Sequence, residues 1–189
     1  MSARPASEVF REYLPSLLTL LGVVLLLAFV AAPARVSGDS MNPTLHSGDL
    51  LLLLKYPRWQ ADFPHRGDIV VFRGSEGSPY SYETRTVLGI SQRVRPTHIK
   101  RVLAVGGDRI EMRSGQVWVN GAAVAEPYTA ALSPDSFPPC TLASGEIWVM
   151  GDNRHIGSSL DSRTYGPLQR ANIVGRVSYR LWPDAGTLP

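Results

Sequence analysis

The stretch Gln116-Val117-Trp118-Val119-Asn120-Gly121 predicts a β-hairpin. Valine and tryptophan favour extended strands, and Asn-Gly is the pair that two-residue hairpin turns prefer because both turn positions need a positive φ. The return strand should therefore begin near Ala122. A tight turn of this kind joins antiparallel strands, so the stretch indicates a β fold.

The sequence on either side of this hairpin has the same character. Short β-branched or apolar runs bounded by turn residues predict strands at 50–54, 68–72, 99–105, 146–150 and 173–181. Gly, Ser and Pro cluster at 74–84 and 126–145, where we expect loops. We predict one compact, mainly β domain over residues 33–189, with a smaller hairpin and loop insertion around 107–145.

The N-terminal part of the chain is different, because residues 13–32 carry no formal charge and are rich in leucine. A helix of that length rises about 1.5 Å per residue and covers a bilayer core of about 30 Å. Two alternatives are a buried core helix and a cleavable signal peptide ending at Ala32-Pro33-Ala34. We favour an uncleaved transmembrane anchor, since the run exceeds the usual apolar region of about 7 to 15 residues and proline suits a cleavage site poorly.

The arginines around this run bear on its orientation. Arg4 and Arg11 precede it, diluted by two glutamates, and Arg35 follows it. This count favours a cytoplasmic N-terminus at 1–12, an anchor at 13–32 and an extracytoplasmic domain at 33–189.

Composition excludes several other classes of function. No basic stripe with interleaved aromatics and no Gly-rich phosphate cradle is present, which argues against nucleic acid as a partner. The single cysteine, Cys140, cannot form an intrachain disulfide or a cysteine zinc site, and we expect no metal or organic cofactor.

A candidate nucleophile lies just after the anchor, in Ser37-Gly38-Asp39-Ser40-Met41-Asn42-Pro43-Thr44-Leu45. Gly38 permits unusual dihedrals, Pro43 prevents a regular helix, and Met41 and Leu45 can anchor the loop in apolar surroundings. Such a turn exposes a serine hydroxyl and offers a backbone N–H to an oxyanion. A structural turn with a capping serine is the alternative.

The base that would activate this serine is a histidine or a lysine. The histidines are His46, His65, His98 and His155. Of the 19 Lys and Arg residues only Lys55 and Lys100 are lysine, and arginine does not lose its proton in a protein. Burial can lower a lysine pKa toward neutrality. Lys100 lies in a predicted strand beside Arg101, where alternation should turn one of the two inward, whereas Lys55 precedes Tyr56-Pro57 and should snorkel outward.

A third cluster, at 151–163, contains Asp152, Arg154, Asp161 and Arg163 together with serine hydroxyls. These groups suit an ion-pair network that fixes a loop, with a hydroxyl available to a neutral lysine. A solvated polar loop is the alternative.

Taken together, five ordered features of the chain resemble the bacterial type I signal peptidases. They are the anchor, the segment 37–45, Arg66-Gly67-Asp68-Ile69-Val70-Val71-Phe72, Ile99-Lys100-Arg101 with Gly107-Asp108, and Gly151-Asp152-Asn153-Arg154 with Asp161-Ser162-Arg163. These are membrane-bound Ser/Lys serine proteases that remove signal peptides from exported proteins. The likeness covers most of the chain.

The resemblance implies a role for each matching residue. Ser40 would be the nucleophile, with its N–H in the oxyanion hole, and Lys100 the general base. Ser159 would orient the lysine, with Ser158 a rival because the stretch 155–160 is two residues longer than usual. Gly38 stands where some members have an oxyanion-donating serine. Substrate side chains would contact Val36, Leu45, Val71 and Ile99, and the site would be braced by Asp152, Asp161, Arg163 and Arg101.

The resemblance also implies partners and a location. The chain would sit in the cell membrane, bind signal peptides as an added β-strand, and contact the secretion machinery transiently. One rival is a self-cleaving regulator of the same superfamily, although the chain has no room for the DNA-binding module of such proteins. The other rival is a non-catalytic, membrane-anchored β domain that binds peptides or partner subunits.

Overall fold

A computed structural model of the protein describes residues 6–74, 83–87, 90–130 and 135–188. The described part of the chain begins with helix α1 (Ala6–Leu25), which continues as a π-helical turn (Leu26–Val30) and leads directly into strand β1 (Ala31–Arg35). A 3-10 helix (Tyr56–Trp59), a short helix α2 (Ser162–Tyr165) and a second 3-10 turn (Arg170–Asn172) complete the described helices. Strands make up most of the rest, so the predicted mainly β class is confirmed.

The larger sheet has eight strands, in the order β1-β2-β13-β3-β6-β11-β12 with β14 paired to β13. Its members after β1 are β2 (Leu50–Leu54), β3 (Ile69–Arg73), β6 (Thr97–Val105), β11 (Glu146–Met150), β12 (Leu168–Gln169), β13 (Ile173–Trp182) and β14 (Gly186–Thr187). All its pairings are antiparallel. The five strands predicted at 50–54, 68–72, 99–105, 146–150 and 173–181 all lie in this sheet, with boundaries shifted by two residues or fewer.

The smaller sheet contains the predicted hairpin. Its order is β10-β7-β8-β9, formed by β7 (Arg109–Arg113), β8 (Gln116–Val119), β9 (Ala122–Ala123) and β10 (Phe137–Thr141). Asn120 and Gly121 have φ of 52° and 81°, as the turn requires, and the return strand begins at Ala122 as predicted. The loop predicted over 126–145 is wrong in part, because β10 pairs with β7 there despite its two prolines. Proline is tolerated because β10 is an edge strand.

A two-stranded sheet joins β4 (Glu83–Val87) to β5 (Ile90–Val94). The loop predicted at 74–84 therefore ends in a strand, and its residues 75–82 lie outside the described chain.

The apolar segment Phe10–Val30 has the length and composition of a membrane-crossing helix, with a mean hydropathy of 2.4, and none of it is buried in the described structure. The helix differs from the predicted span of 13–32 at both ends: it begins by Ala6 and stops at Val30. It stops there because Ala31–Arg35 pair with Leu50–Leu54, so the backbone gains sheet partners in place of helical ones. Lys55 closes the helix end by donating its amide to Val30 O (2.7 Å) and its Nζ to Leu27 O (2.6 Å).

Three apolar clusters form the core of the β domain. The first lies where buried side chains of the smaller sheet pack against β6 and β11. The second lies under the segment after β1 and includes Val36, Met41, Leu45 and Val71. The third fills the opposite face of β3 and β6 around Phe72 and Val102. Both faces of β3 and β6 are therefore covered, which makes these strands a rigid base for side chains that do chemistry.

Candidate active site

The segment after β1 is a compact turn held down by apolar side chains. Met41 and Leu45 are 1% and 0% exposed, and the Leu45 amide donates to Met41 O at 2.9 Å. Gly38 has a φ of 90°, in the region that glycine adopts without strain. The turn therefore presents Ser40 at its outer side, where it lines a cavity.

Lys100 reaches Ser40 from the middle of β6. Its Nζ donates to Ser40 Oγ at 2.7 Å and to Ile99 O at 3.0 Å, and the residue is only 4% exposed. The two residues singled out from the sequence are thus in direct contact, although 60 positions separate them.

Burial is the dominant influence on this lysine. Desolvation penalises the ammonium form and lowers the pKa of Lys100 to about 8, against the opposing negative charges of Asp161 and Asp152 and with a smaller lowering by Arg163. About one tenth of the amine is therefore neutral at pH 7 and about half at pH 8, and the neutral form is the one that a general base requires.

The expectation that only one of Lys100 and Arg101 faces inward is wrong. Arg101 is 1% exposed and Lys100 4%, so both side chains are buried. Alternation predicts an exposed face only when one side of a sheet meets solvent, and here both sides of β6 are covered.

Arg101 lies in an ion-pair cluster behind the nucleophile turn. Asp152 accepts two hydrogen bonds from its guanidinium and a third from Thr44 Oγ1 at 2.6 Å. The Arg101 guanidinium also packs on the Tyr128 ring, with its Cζ 3.9 Å from the ring centroid. Burial, with the nearby Glu126 carboxylate, raises the pKa of Tyr128, so its hydroxyl stays protonated.

Backbone contacts from the segment 151–153 fix the turn further. The Asn153 amide donates to Ser40 O at 3.0 Å, and Asn153 Nδ2 donates to Asp39 O at 3.0 Å. Gly151 lies so close to Ser40 O and to the Ser159 hydroxyl that a Cβ at this position would overlap both. The spacing of the three elements therefore depends on a residue without a side chain.

Asp161 organises a second ion-pair cluster near the lysine. Its carboxylate accepts from the Gly151 amide (3.0 Å), from Ser159 Oγ (2.6 Å) and from Arg163 Nε (2.9 Å), and Arg163 also pairs with Asp135. Although burial opposes ionisation, these donors and the positive charge of Arg163 hold the pKa of Asp161 below its ordinary value.

The structure places Ser159 differently from the expected role. Its hydroxyl donates to Asp161, and the hydrogen bonds of Lys100 within the described chain go to Ser40 and Ile99 instead. Ser159 is therefore hydrogen-bonded to the carboxylate whose negative charge raises the pKa of Lys100. The Ser158 side chain has no hydrogen bond to Lys100 in the described residues either.

A cavity of about 380 Å³ opens beside the Ser40–Lys100 pair. Val36, Val71 and Ile99 line it, as expected for substrate-contacting residues. Leu45 does not, because it is fully buried in the cluster beneath the nucleophile turn, where it packs the turn against β2 and β3. Leu45 thus supports the turn from beneath, and its contact with substrate stays a prediction.

Several residues of the site escaped sequence reasoning. Thr44 and Asn153 lay inside recognised motifs without an assigned role, whereas Glu126 and Tyr128 lay in a predicted loop with no local signal. Glu126 forms an almost fully buried ion pair with Arg154. Glu126 and Tyr128 reach the site only because the smaller sheet packs against β6.

The described residues contain no group of three or more His, Cys, Asp or Glu side chains arranged to hold a metal ion. Cys140 is partly buried at the edge of the smaller sheet.

Comparison with known proteins identifies the family of this chain. The family model described as signal peptidase, peptidase S26, matches residues 10–182. Signal peptidase I of Mycobacterium tuberculosis is 32% identical, in an alignment that covers 96% of this chain and 76% of the relative. Probable signal peptidase I-1 of Synechocystis is 34% identical over 93% of this chain and 84% of its own length, and signal peptidase I S of Bacillus subtilis is 31% identical over 82% and 79%. The chain belongs to the signal peptidase family, peptidase S26.

Proposed function

We propose that this chain removes signal peptides from exported preproteins with Ser40 as nucleophile and Lys100 as general base. Its family makes it a serine endopeptidase that acts on signal peptides. The assignment of the two residues is our own inference. It rests on one observation above all, the 2.7 Å contact between the buried Lys100 Nζ and Ser40 Oγ.

The chemistry is acyl transfer in two halves. Neutral Lys100 takes the hydroxyl proton, Ser40 Oγ bonds to the scissile carbonyl carbon, and the lysine gives its proton to the leaving amine as the C–N bond breaks. The signal peptide is then held on Ser40 as an ester. In the second half Lys100 takes a proton from water, the resulting hydroxide attacks the ester, and the proton returns to Ser40 Oγ as the C–O bond breaks.

The oxyanion that forms in each half needs hydrogen-bond donors. We assign the Ser40 amide to this role, because the turn carrying it borders the cavity. Gly38 brings no side-chain donor, so the hole depends on backbone N–H and water. A Cβ at Gly38 would meet open space, but its φ of 90° would strain any other residue.

The substrate is expected to bind as an extended strand. β1 is an edge strand of the large sheet, and the part of β6 before Arg101 pairs with β3 alone in the described chain. Both backbones border the cavity at Ala34 and Ile99, so a peptide laid between them could hydrogen-bond to either edge. The apolar side chains of Val36, Val71 and Ile99 would then accept small residues of the substrate.

A membrane location fits the same geometry. The apolar helix ends only ten residues before Ser40, so a chain anchored by that helix works at the bilayer surface. We propose a single span in the cell membrane with residues 1–12 in the cytoplasm and the β domain outside. Preproteins emerging from the secretion machinery would meet the site there, which makes transient contact with that machinery part of the proposal.

The test is cleavage of a preprotein by full-length protein in detergent. Ser40→Ala and Lys100→Arg should each abolish product, since arginine keeps the charge but cannot accept a proton. Lys55→Arg is the matched control, because it makes the same change at the other lysine and should leave cleavage unchanged. Product formed by Ser40→Ala would remove the nucleophile assignment, and product formed by Lys100→Arg would remove the base. A wild type without any activity would favour the non-catalytic, peptide-binding alternative.

A further inference from the structure

A second cavity, of about 250 Å³, lies away from the candidate active site and is lined by three arginines: Arg58, Arg73 and Arg95. The other lining residues in the described part of the chain are Ala171, Asn172, Ile173 and Val174. Three guanidinium groups therefore border one small cavity. Guanidinium matches the geometry of phosphate oxygens better than any other side chain does.

The strand register shows where this cavity lies relative to the anchor. Ala31, the first residue after the helix, is opposite Leu54 at the end of β2. In the same sheet Ile173, at the start of β13, is opposite Phe72, and Arg73, at the end of β3, is opposite Thr97. Because neighbouring strands are antiparallel, these residues share one end of the sheet. The arginine cavity is therefore at the end from which the anchor helix leaves.

The residues around the cavity have the character of a membrane interface. Arg58 belongs to the 3-10 helix that follows Lys55, whose Nζ binds the last carbonyls of the anchor. The neighbouring Trp59 is 56% exposed, and the Arg58 Cζ lies 4.8 Å from its ring centroid. Exposed tryptophan and arginine concentrate at the level of lipid headgroups.

We propose that this three-arginine cavity binds the phosphate of an anionic phospholipid headgroup. The inference rests on the proposed membrane anchoring, which sets the cavity at the depth of the lipid phosphates. Arg58 Nη1 donates to Val174 O at 3.5 Å, and Arg95 Nη2 donates to Gly74 O. Arg73, at the end of β3, is exposed and borders the cavity from that strand. A bound lipid would fix the height of the β domain above the bilayer and so the position of the Ser40–Lys100 pair relative to a membrane-embedded substrate.

The experiment is native mass spectrometry of the full-length protein released from neutral detergent, with phosphatidylglycerol, phosphatidylcholine or inorganic phosphate added at equal concentration. Wild type should retain one phosphatidylglycerol, little phosphatidylcholine and no inorganic phosphate. Arg73→Gln should reduce phosphatidylglycerol occupancy by at least about five-fold, since one basic residue near an anionic lipid surface contributes about that factor. Arg109→Gln is the matched control, because it removes the same charge from an exposed position on the smaller sheet.

Equal phosphatidylglycerol retention by Arg73→Gln and Arg109→Gln would overturn the proposal, as would retention of inorganic phosphate as strong as that of the lipid. Arg58→Gln provides a second variant should Arg73→Gln fold poorly, with the thermal midpoint of unfolding measured for each. Extraction of the wild type from membranes by alkaline carbonate would reject the anchor itself. Resistance to carbonate with no preference for anionic lipid would reject the lipid site alone.

Discussion

Arg101 and Asp152, 51 positions apart, form a two-pronged ion pair with almost no solvent access: Arg101 Nε donates to Oδ1 at 2.9 Å and Nη2 donates to Oδ2 at 2.7 Å, with side chains 2% and 0% exposed. Thr44 adds a third donor to the same carboxylate from the nucleophile turn. The pair thus joins β6, the segment 151–153 and the turn that carries Ser40.

Asp152→Ala should lower the free energy of unfolding by about 3 to 5 kcal/mol, because it leaves the Arg101 guanidinium buried without its counter-charge. Urea unfolding of the full-length protein in detergent measures this. Arg113→Ala is the comparison: it breaks the pair with Glu111, whose arginine is 63% exposed, and should change stability by less than about 1 kcal/mol. Similar losses in the two variants would contradict the burial argument.

Cleavage should rise with pH through the pKa of Lys100 at about 8, because only the neutral amine accepts the serine proton. At pH 7 about one tenth of the enzyme would have a neutral Lys100 amine. The value of kcat/KM should therefore climb about ten-fold per pH unit well below pH 8 and level off above pH 8. Asp161→Asn should move the midpoint to lower pH, since the charge of Asp161 raises the pKa of Lys100. A profile flat from pH 6 to 9 would exclude this lysine as the base.

Lys100→Met should make the folded protein more stable at pH 7. The pKa of Lys100 falls from 10.5 to about 8 on folding, so burial of the ammonium destabilises the wild type fully below pH 8 and no longer above pH 10.5. The shift corresponds to about 3 kcal/mol, from which the lost contact with Ser40 subtracts about 1 kcal/mol.

The advantage of Lys100→Met over wild type should therefore shrink as pH rises from 8 to 10.5, measured by urea unfolding in detergent across that window. Lys55→Met, at the other lysine, shows how stability changes when a lysine charge outside the site is lost together with its contact to Leu27 O. An advantage independent of pH would indicate repacking alone.

Ser159→Ala and Ser158→Ala should separate the two rival hydroxyls. Ser159 donates to the buried Asp161 carboxylate at 2.6 Å, so its loss should lower the free energy of unfolding by about 1.5 to 3 kcal/mol and also reduce kcat. Ser158→Ala should change neither beyond about 0.5 kcal/mol. Thermal unfolding and steady-state cleavage together check this, and a larger effect of Ser158→Ala would reverse the assignment.

Gly151→Ala should abolish most activity without touching a reacting group. Its Cβ would overlap Ser40 O and the Ser159 hydroxyl, so the nucleophile turn must move. A displacement of about 1 Å can lower catalysis about 100-fold. Gly186→Ala is the control, since its Cβ meets open space at an ordinary φ, and preprotein cleavage compares the two. Unchanged activity in Gly151→Ala would show that the turn tolerates displacement.

Much of this architecture could be predicted because its causes are local. The Asn120-Gly121 turn fixed its hairpin through the two positive φ values, and the uncharged N-terminal run indicated a helix without help from the rest of the chain. The scarcity of lysine singled out Lys100. The prediction that failed concerns the inward-facing partner of Lys100, and the helix ends two residues before the predicted span does. Each depends on what another segment covers, because burial of a side chain is a property of its neighbours.

The sequence by itself determined the class of the fold and the residue types available for chemistry, since backbone propensities and ionisable groups belong to single residues or short segments. The tertiary structure decided how they act. Folding sets Lys100 against Ser40 in a buried environment that lowers its pKa, directs Ser159 to Asp161 instead of the lysine, and brings Tyr128 onto Arg101. Distances between remote segments and the exclusion of water arise only when strands pair and pack, and these two quantities control the reactivity of the site.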